Sequence, residues 1–219
     1  MAGTVSDPAA FVRQQTVLAA PPLVPEIRLY LASAVTPLWR ATEATLAARE
    51  VPPPYWAFAW PGGQALARHT LDSPAVVRGR QVLDFAAGSG LAGIAAALAG
   101  AAATTAADID PIAVAAIALN AAANGVTIDI LHDDPIGCPL AWDVVLAGDV
   151  CYEQPMAGRA TEWLRQLAAA GAAVLLGDPG RSYRPADGLE ELARYRVPTS
   201  LELETRTECE TVVWRLLPI

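Results

Sequence analysis

Between residues 81 and 177 the chain alternates short apolar runs with helix-forming ones, and that rhythm restricts the fold more than any other feature. "QVLDF" at 81–85, "ATTAAD" at 103–108, "VTIDIL" at 126–131, "WDVVLAG" at 142–148 and "AAVLLG" at 172–177 read as strands. Helices are expected over Leu91–Ala99, from Pro111 to about Ala123, and over Pro155–Ala170. Asp110-Pro111 sets a capping carboxylate before a first-turn proline, while Asn124-Gly125 and Gly171 are stop signals. Such alternation predicts an α/β fold with a mostly parallel sheet and helices on both faces. A further helix is expected near Gln64–Leu71, a short one over Asp187–Arg194, and a final antiparallel pair of strands at 195–205 and 211–217. Residues 1–50 read as helical in amphipathic patches broken by Pro21, Pro22, Pro25 and Pro37. "VPPPYWAFAWPGG" at 51–63 reads as an extended aromatic loop. One domain is expected, with an N-terminal helical and aromatic extension over 1–60 and a cofactor-binding core over 61–219.

Composition removes several classes. A chain of 219 residues, 53% hydrophobic, buries a real core and is not disordered. Its net charge of −8 argues against a nucleic-acid partner. It has fifteen arginines and no lysine, a bias that reads as genome composition. Cys138, Cys151 and Cys209 are odd in number and lack CxxC spacing, so neither a disulfide framework nor a metal site is expected, and a reducing cytoplasm fits. Residues 85–107 are uncharged for 23 positions, but the run is mostly Ala, Thr and Gly and is too weakly apolar to be read as a membrane span. No secretory signal pattern opens the chain.

The loop after the first core strand, "LDFAAGSGLAG" at 83–93, contains the G-x-G-x-x-G spacing from Gly88. In an open α/β sheet a ligand lies beyond the carboxyl ends of the strands, and glycines let backbone approach it. A dinucleotide would set its pyrophosphate at the start of the next helix. Asp84, ending the strand, would then face like charge. S-adenosylmethionine reverses that sign, because it carries an ammonium and a sulfonium and no phosphate. Asp84 can meet the ammonium directly or through water, or it can serve the turn as a structural cap. Asp108, ending the second strand in "ADID", suits two ribose hydroxyls, and Asp110 is the better helix cap. In "HDD" at 132–134, Asp133 or a neighbouring amide is placed to receive the adenine amino group. In "GDVCY", Asp149 and Tyr152 lie where a substrate would meet the methyl group. Trp56, Phe58 and Trp60 offer an aromatic lining for a lysine stem or ammonium, with packing of the extension onto the sheet as the competing use of those rings.

Four stretches carry a closer likeness. "PPYWAFAWPGGQALARHTLDSPAVVRGRQVLDF", "AADIDPIAVAAIALNAAANG", "AGDVCYE" and "LLGDPGRSY" resemble, in the right order and over roughly residues 53–184, the lysine methyltransferases of the electron-transfer flavoprotein β-subunit. These belong to the class I, seven-strand S-adenosylmethionine-dependent methyltransferases. The resemblance implies a Rossmann-like, mostly parallel seven-stranded sheet with an antiparallel C-terminal strand. It implies a protein N-ε-lysine methyltransferase with Asp149 and Tyr152 as its Asp-x-x-Tyr motif. Trp60 and the Gly62-Gly63 turn would close over the cofactor, in a site formed with Asp84, Ala86, Gly88, Gly90, Asp108, Ile109 and Asp133. Ala86 stands where the family often has glycine, a departure that costs little if its φ is negative. The implied substrate is the flavoprotein β-subunit, with a ribosomal protein as a second target. The absence of an Arg-rich, Ser-rich leader favours a bacterial, cytoplasmic member. Methylation of a small pyridine compound is the rival activity; a non-catalytic cofactor-binding module and a NAD-dependent dehydrogenase are rivals from other classes.

In such a reaction only a neutral amine can attack, and free lysine has a pKa near ~10.4. A neighbouring sulfonium and an apolar tunnel both favour the neutral form. Asp149 would favour the ammonium, so it is assigned to docking and orienting lysine, with Tyr152 as a wall or hydrogen-bond donor.

Overall fold

The structure is a computed structural model that describes residues 5–33, 53–199, 204 and 206–218. Its first elements are helix α1 (Pro8–Gln15) and strands β1 (Val17–Ala19) and β2 (Leu29–Leu31). Asp7 caps α1 by accepting from the Ala10 amide, and Pro8 opens the first turn. β1 and β2 pair antiparallel, with Val17 opposite Leu31. The expectation of helical patches thus holds at α1 and is corrected over β1 and β2. Long-range bonds hold the β2 segment extended: the Arg28 and Tyr30 amides donate to Asn124 Oδ1 and Asn120 Oδ1 at 2.9 and 2.7 Å. The part of that expectation over 34–50 lies outside the described residues.

The core then runs α2 (Pro61–Asp72), β3 (Gln81–Phe85), α3 (Leu91–Leu98), β4 (Ala103–Ala107), α4 (Pro111–Ala123), β5 (Asp129–Leu131), β6 (Val144–Gly148), α5 (Met156–Ala169), β7 (Ala173–Asp178), β8 (Leu189–Pro198) and β9 (Glu208–Leu216). These strands form a seven-stranded sheet in the order β5-β4-β3-β6-β7-β9-β8. β5 through β7 are parallel, and β9 runs antiparallel to both β7 and β8. Alternate residues of one strand serve opposite faces. Leu83, Phe85, Val145 and Ala147 pack with Trp163, Leu164 and Leu167 of α5, while Val82, Val144 and Leu146 pack with Ala65 and Leu66 of α2 and Ala92 and Ala96 of α3. Both faces are therefore covered, as the strand pattern requires. The strand order reverses direction between β3 and β6, which opens a crevice at their carboxyl ends.

Two elements differ from expectation in type or length. Asp187–Arg194 does not form a helix; most of it belongs to the ten-residue strand β8. "LEELAR" has helical periodicity, but pairing with β9 overrides it. Cross-strand ion pairs Arg215–Glu190 and Arg194–Glu210 use its charges on that edge. α2 begins at Pro61 rather than Gln64, because "PGG" enters the helix instead of ending the loop. Within the aromatic segment, Tyr55–Ala57 forms a 3-10 turn. β5 is shorter than expected, 129–131, and β6 begins at Val144.

Candidate active site

A cavity of about 720 Å³ lies at the crevice beyond β3, β4 and β6. Every site residue singled out from the sequence lines it except Gly62 and Gly90. Gly90 instead caps α3 with φ +76, and a Cβ there would meet the Ile117 side chain at 3.2 Å. Ala86 has φ +52, so the condition of a negative φ fails. A non-glycine residue in that region is strained by about 1–2 kcal/mol. The loop is held against the next strand: the Ala87 amide donates to the Ala107 carbonyl at 3.0 Å and the Gly88 amide to Asp108 Oδ2 at 2.8 Å.

Each strand end delivers a carboxylate. Asp84 is 3% exposed, and its Oδ2 accepts from the Gly93 amide at 2.8 Å. The capping use and the cavity-lining position thus coexist in one side chain. Burial pushes its carboxyl up to about 7; the Gly93 amide opposes this and the nearby Asp108 charge adds to it. Asp108 accepts from the amides of Gly88 and Asp110, and burial raises its pKa as well. Asp110 caps α4 by accepting from the Ile112 amide at 2.8 Å. Ile109 between them is 70% exposed. Asp133 lies on the far wall and accepts from the Asp134 amide.

Asp149 is a second non-glycine residue with positive φ, +57. Its amide donates to the Gly177 carbonyl at 2.9 Å and its Oδ2 accepts from the Gly63 amide at 3.1 Å. Here three glycines let the start of α2 touch the ends of β6 and β7. A Cβ on Gly62 would meet the Asp149 amide nitrogen at 2.8 Å, one on Gly148 would meet the Gly63 nitrogen at 2.9 Å, and one on Gly177 would collide with the Gly62 carbonyl. That contact gives "WPGG" and "LLGDPGR" their shape. Asp149 is also ion-paired: Arg181 Nη2 lies 2.9 Å from its Oδ1. Burial raises Asp149 to about 6, against the pull of Arg181 and the Gly63 amide. Sequence reasoning assigned Arg181 no role, although "GDPGR" marked its position.

The rings gather at the mouth. Tyr55 stands 6.0 Å from Trp60 and 5.3 Å from Tyr152, and Phe58 stands 5.7 Å from Trp60, centroid to centroid. Trp60 Nε1 donates to the Tyr55 carbonyl at 2.8 Å, which folds the segment back on itself. Trp56 is 2% exposed and packs edge-on against Phe11, so most of its ring serves the contact between α1 and α4. Burial raises the Tyr152 hydroxyl pKa, with Tyr55 beside it, which disfavours a tyrosinate base.

Seven carboxylates line the cavity against two guanidinium groups, Arg159 and Arg181. That balance fits a ligand bearing sulfonium and ammonium charges and opposes a pyrophosphate. Known proteins agree in type. A family model described as "Ribosomal protein L11 methyltransferase (PrmA)" matches residues 65–149. Magnesium protoporphyrin IX methyltransferase from Synechocystis PCC 6803, solved with bound S-adenosylmethionine, shares the fold at TM-score 0.52 and 18% identity, over 70% of this chain and 79% of that one. The electron transfer flavoprotein beta subunit lysine methyltransferase of Xenopus laevis is 38% identical over 96% of this chain and 87% of its own length. The human protein of that name is 37% identical over 99% and 86%. The chain belongs to the electron transfer flavoprotein beta subunit lysine methyltransferase family. It is an S-adenosylmethionine-dependent methyltransferase, which decides against the dehydrogenase and the non-catalytic module. These relatives of the flavoprotein lysine methyltransferase family are animal proteins and lend no support to a bacterial source. No helix among the described residues is long and apolar enough to cross a membrane.

Proposed function

We propose that the protein methylates the ε-amine of lysine on the electron-transfer flavoprotein β-subunit. The observation that carries this reading is one cavity in which the acidic strand ends Asp84, Asp108 and Asp149 meet an aromatic mouth of Tyr55, Phe58, Trp60 and Tyr152. When bound, S-adenosylmethionine supplies a methyl group activated by its sulfonium. Asp84 would face its ammonium, Asp108 its ribose hydroxyls and Asp133 its adenine end. Ala86 and Gly88 would pass beneath it, with Ile109 and Trp60 at its flanks. On the opposite side, Phe58, Trp60 and Tyr152, with the buried edge of Trp56 behind them, would hold the lysine stem and exclude water. Asp149 would orient the amine, and proximity supplies much of the rate in such a step. The packing of α1 and β2 on α4 supports reading residues 1–60 as an extension of the same unit as 61–219. The three free thiols support a reducing, cytoplasmic-type compartment.

A second substrate has one observation in its favour: the match of residues 65–149 to the ribosomal protein L11 methyltransferase model supports a ribosomal protein as a further target. The test is transfer of labelled methyl from S-adenosylmethionine to purified flavoprotein β-subunit. With no lysine in the chain, the enzyme gives no lysine self-methylation background. Asp149→Asn is expected to leave S-adenosylhomocysteine affinity nearly unchanged and to cut methylation sharply, raising KM and lowering kcat. Full activity in that variant removes Asp149 from the mechanism. An inert wild type that methylates a pyridine compound gives the case to the small-molecule rival.

A further inference from the structure

Asp178 ends β7 with its carboxylate turned back on the chain. Its Oδ1 accepts from the amides of Gly180 and Arg181 at 2.7 and 2.8 Å. Gly180 sits at φ +93, a conformation that glycine takes without strain. The turn returns Arg181 over the end of β6, where its guanidinium meets two carboxylates. Nη2 lies 2.9 Å from Asp149 Oδ1 and 2.6 Å from Glu204 Oε1, and Nη1 lies 3.0 Å from Glu204 Oε2. The same guanidinium lies 5.9 Å from the Trp60 ring centroid. All three side chains are little exposed, 20% for Arg181, 11% for Asp149 and 9% for Glu204. Arg181 thus joins two carboxylates, and one of them, Asp149, lines the aromatic-mouthed cavity where a substrate ammonium would arrive.

We infer that Arg181 is a positioning residue: braced by Glu204 and the Asp178 turn, it fixes Asp149 as an aimed carboxylate, so that the cluster receives one ammonium group of the protein substrate. The inference rests on the lysine-methylation reading above. Without Arg181, Asp149 and Glu204 would share a poorly solvated space as like charges, and Asp149 would take up a proton. A protonated Asp149 attracts no ammonium. Among the described residues, Cys151 and Cys209 also lie near Asp149, with Asp178 and Arg184 beside Cys151, Asp178 beside Arg181, and Arg206 beside Cys209. Burial raises both thiols, Cys151 to about 12, so they stay neutral near pH 7 and the charge on Asp149 answers to Arg181 and Glu204.

The test is a carbon-13 titration of the Asp149 carboxyl in the intact protein, compared across wild type, R181M, R181K and E204Q. S-adenosylhomocysteine affinity and kinetics on the flavoprotein β-subunit are measured in parallel. The Asp149 midpoint is expected to rise by about one pH unit or more in R181M, to stay near wild type in R181K, and to fall in E204Q. KM for the protein substrate is expected to rise about tenfold in R181M, with cofactor affinity within about threefold of wild type. Opposite shifts in R181M and E204Q are something a merely structural role would not produce. An unmoved midpoint in R181M, or an unmoved KM, overturns the inference. If R181M loses its fold and with it cofactor binding, E204Q decides, and an unmoved midpoint there overturns it equally. An inert wild type would overturn the substrate reading instead, while the titrations still decide the role of Arg181.

Discussion

Asp108 and Asp110 sit two residues apart and do different work. Asp108 gathers the Gly88 and Asp110 amides at the cavity wall, whereas Asp110 caps α4. Asp108→Ala is expected to weaken S-adenosylhomocysteine binding by about 1–3 kcal/mol, through lost charge-assisted hydrogen bonds. Asp110→Ala is expected to cost about 1 kcal/mol of stability and to spare affinity. Calorimetry and denaturant melts separate the two; equal affinity in both variants would remove the ribose role from Asp108. Asp84 makes a statement about pH. Its folded pKa, about 7, lies above the usual carboxylate value of 3.8, so burial penalises the ionised form. A raised folded pKa means the folded state binds its proton more tightly, so the penalty is absent below pH 4, grows between pH 4 and 7, and is complete above. Asp84→Asn keeps an oxygen for the Gly93 amide and removes the charge. It is expected to stabilise the ligand-free protein at pH 8 by up to about 4 kcal/mol, a gain that vanishes by about pH 4, while weakening S-adenosylhomocysteine. Thermal melts at the two pH values check the sign.

At the scale of elements, the contact of α2 with β6 and β7 decides where the site can be. Gly62, Gly148 and Gly177 bring backbone to backbone, and the Gly63 amide reaches Asp149 because nothing stands between them. Gly177→Ala would drive a methyl into the Gly62 carbonyl and to 2.9 Å from Leu66 Cγ. Overpacking of this kind costs about 1–3 kcal/mol, and here it would also shift the first turn of α2 away from Asp149. Gly63→Ala is the contrast, because its Cβ meets nothing within 4 Å. In a helix that change is expected to add up to about 1 kcal/mol of stability. Denaturation midpoints of the two variants should move in opposite directions; a common direction would mean that the close packing is slack. The edge strand β8 is held to β9 by pairs such as Arg194–Glu210 and Arg215–Glu190 that stand in solvent. Each is worth only about 0–1 kcal/mol, so β8 stays with the sheet chiefly through its nine-position register with β9.

For the molecule as a whole, charge selects the ligand. A net charge of −8 and a cavity with seven carboxylates repel a dinucleotide and attract a cationic one-carbon donor. S-adenosylhomocysteine at 100 times its dissociation constant is expected to stabilise the protein by about 2.7 kcal/mol, visible as a raised melting temperature, while NAD leaves it unchanged. A shift with NAD and none with S-adenosylhomocysteine would contradict the electrostatic argument.

Strands such as 81–85 and 144–148, the helix cap at Asp110, and the carboxylates that end β3, β4 and β6 were legible in the sequence, because each depends on residues within a few positions of itself. The parallel sheet followed from their alternation. Tertiary structure alone decided that "LEELAR" is a strand, that residues 29–31 are held extended by Asn120 and its neighbours, and that Asp149 already has a cationic partner 32 positions away in Arg181. It also set Ala86 at positive φ against its own preference, where the Ala87 amide is tied to β4. In each case a contact distant in the chain outweighed a local tendency of about 1 kcal/mol, and no window of sequence contains both partners of such a contact.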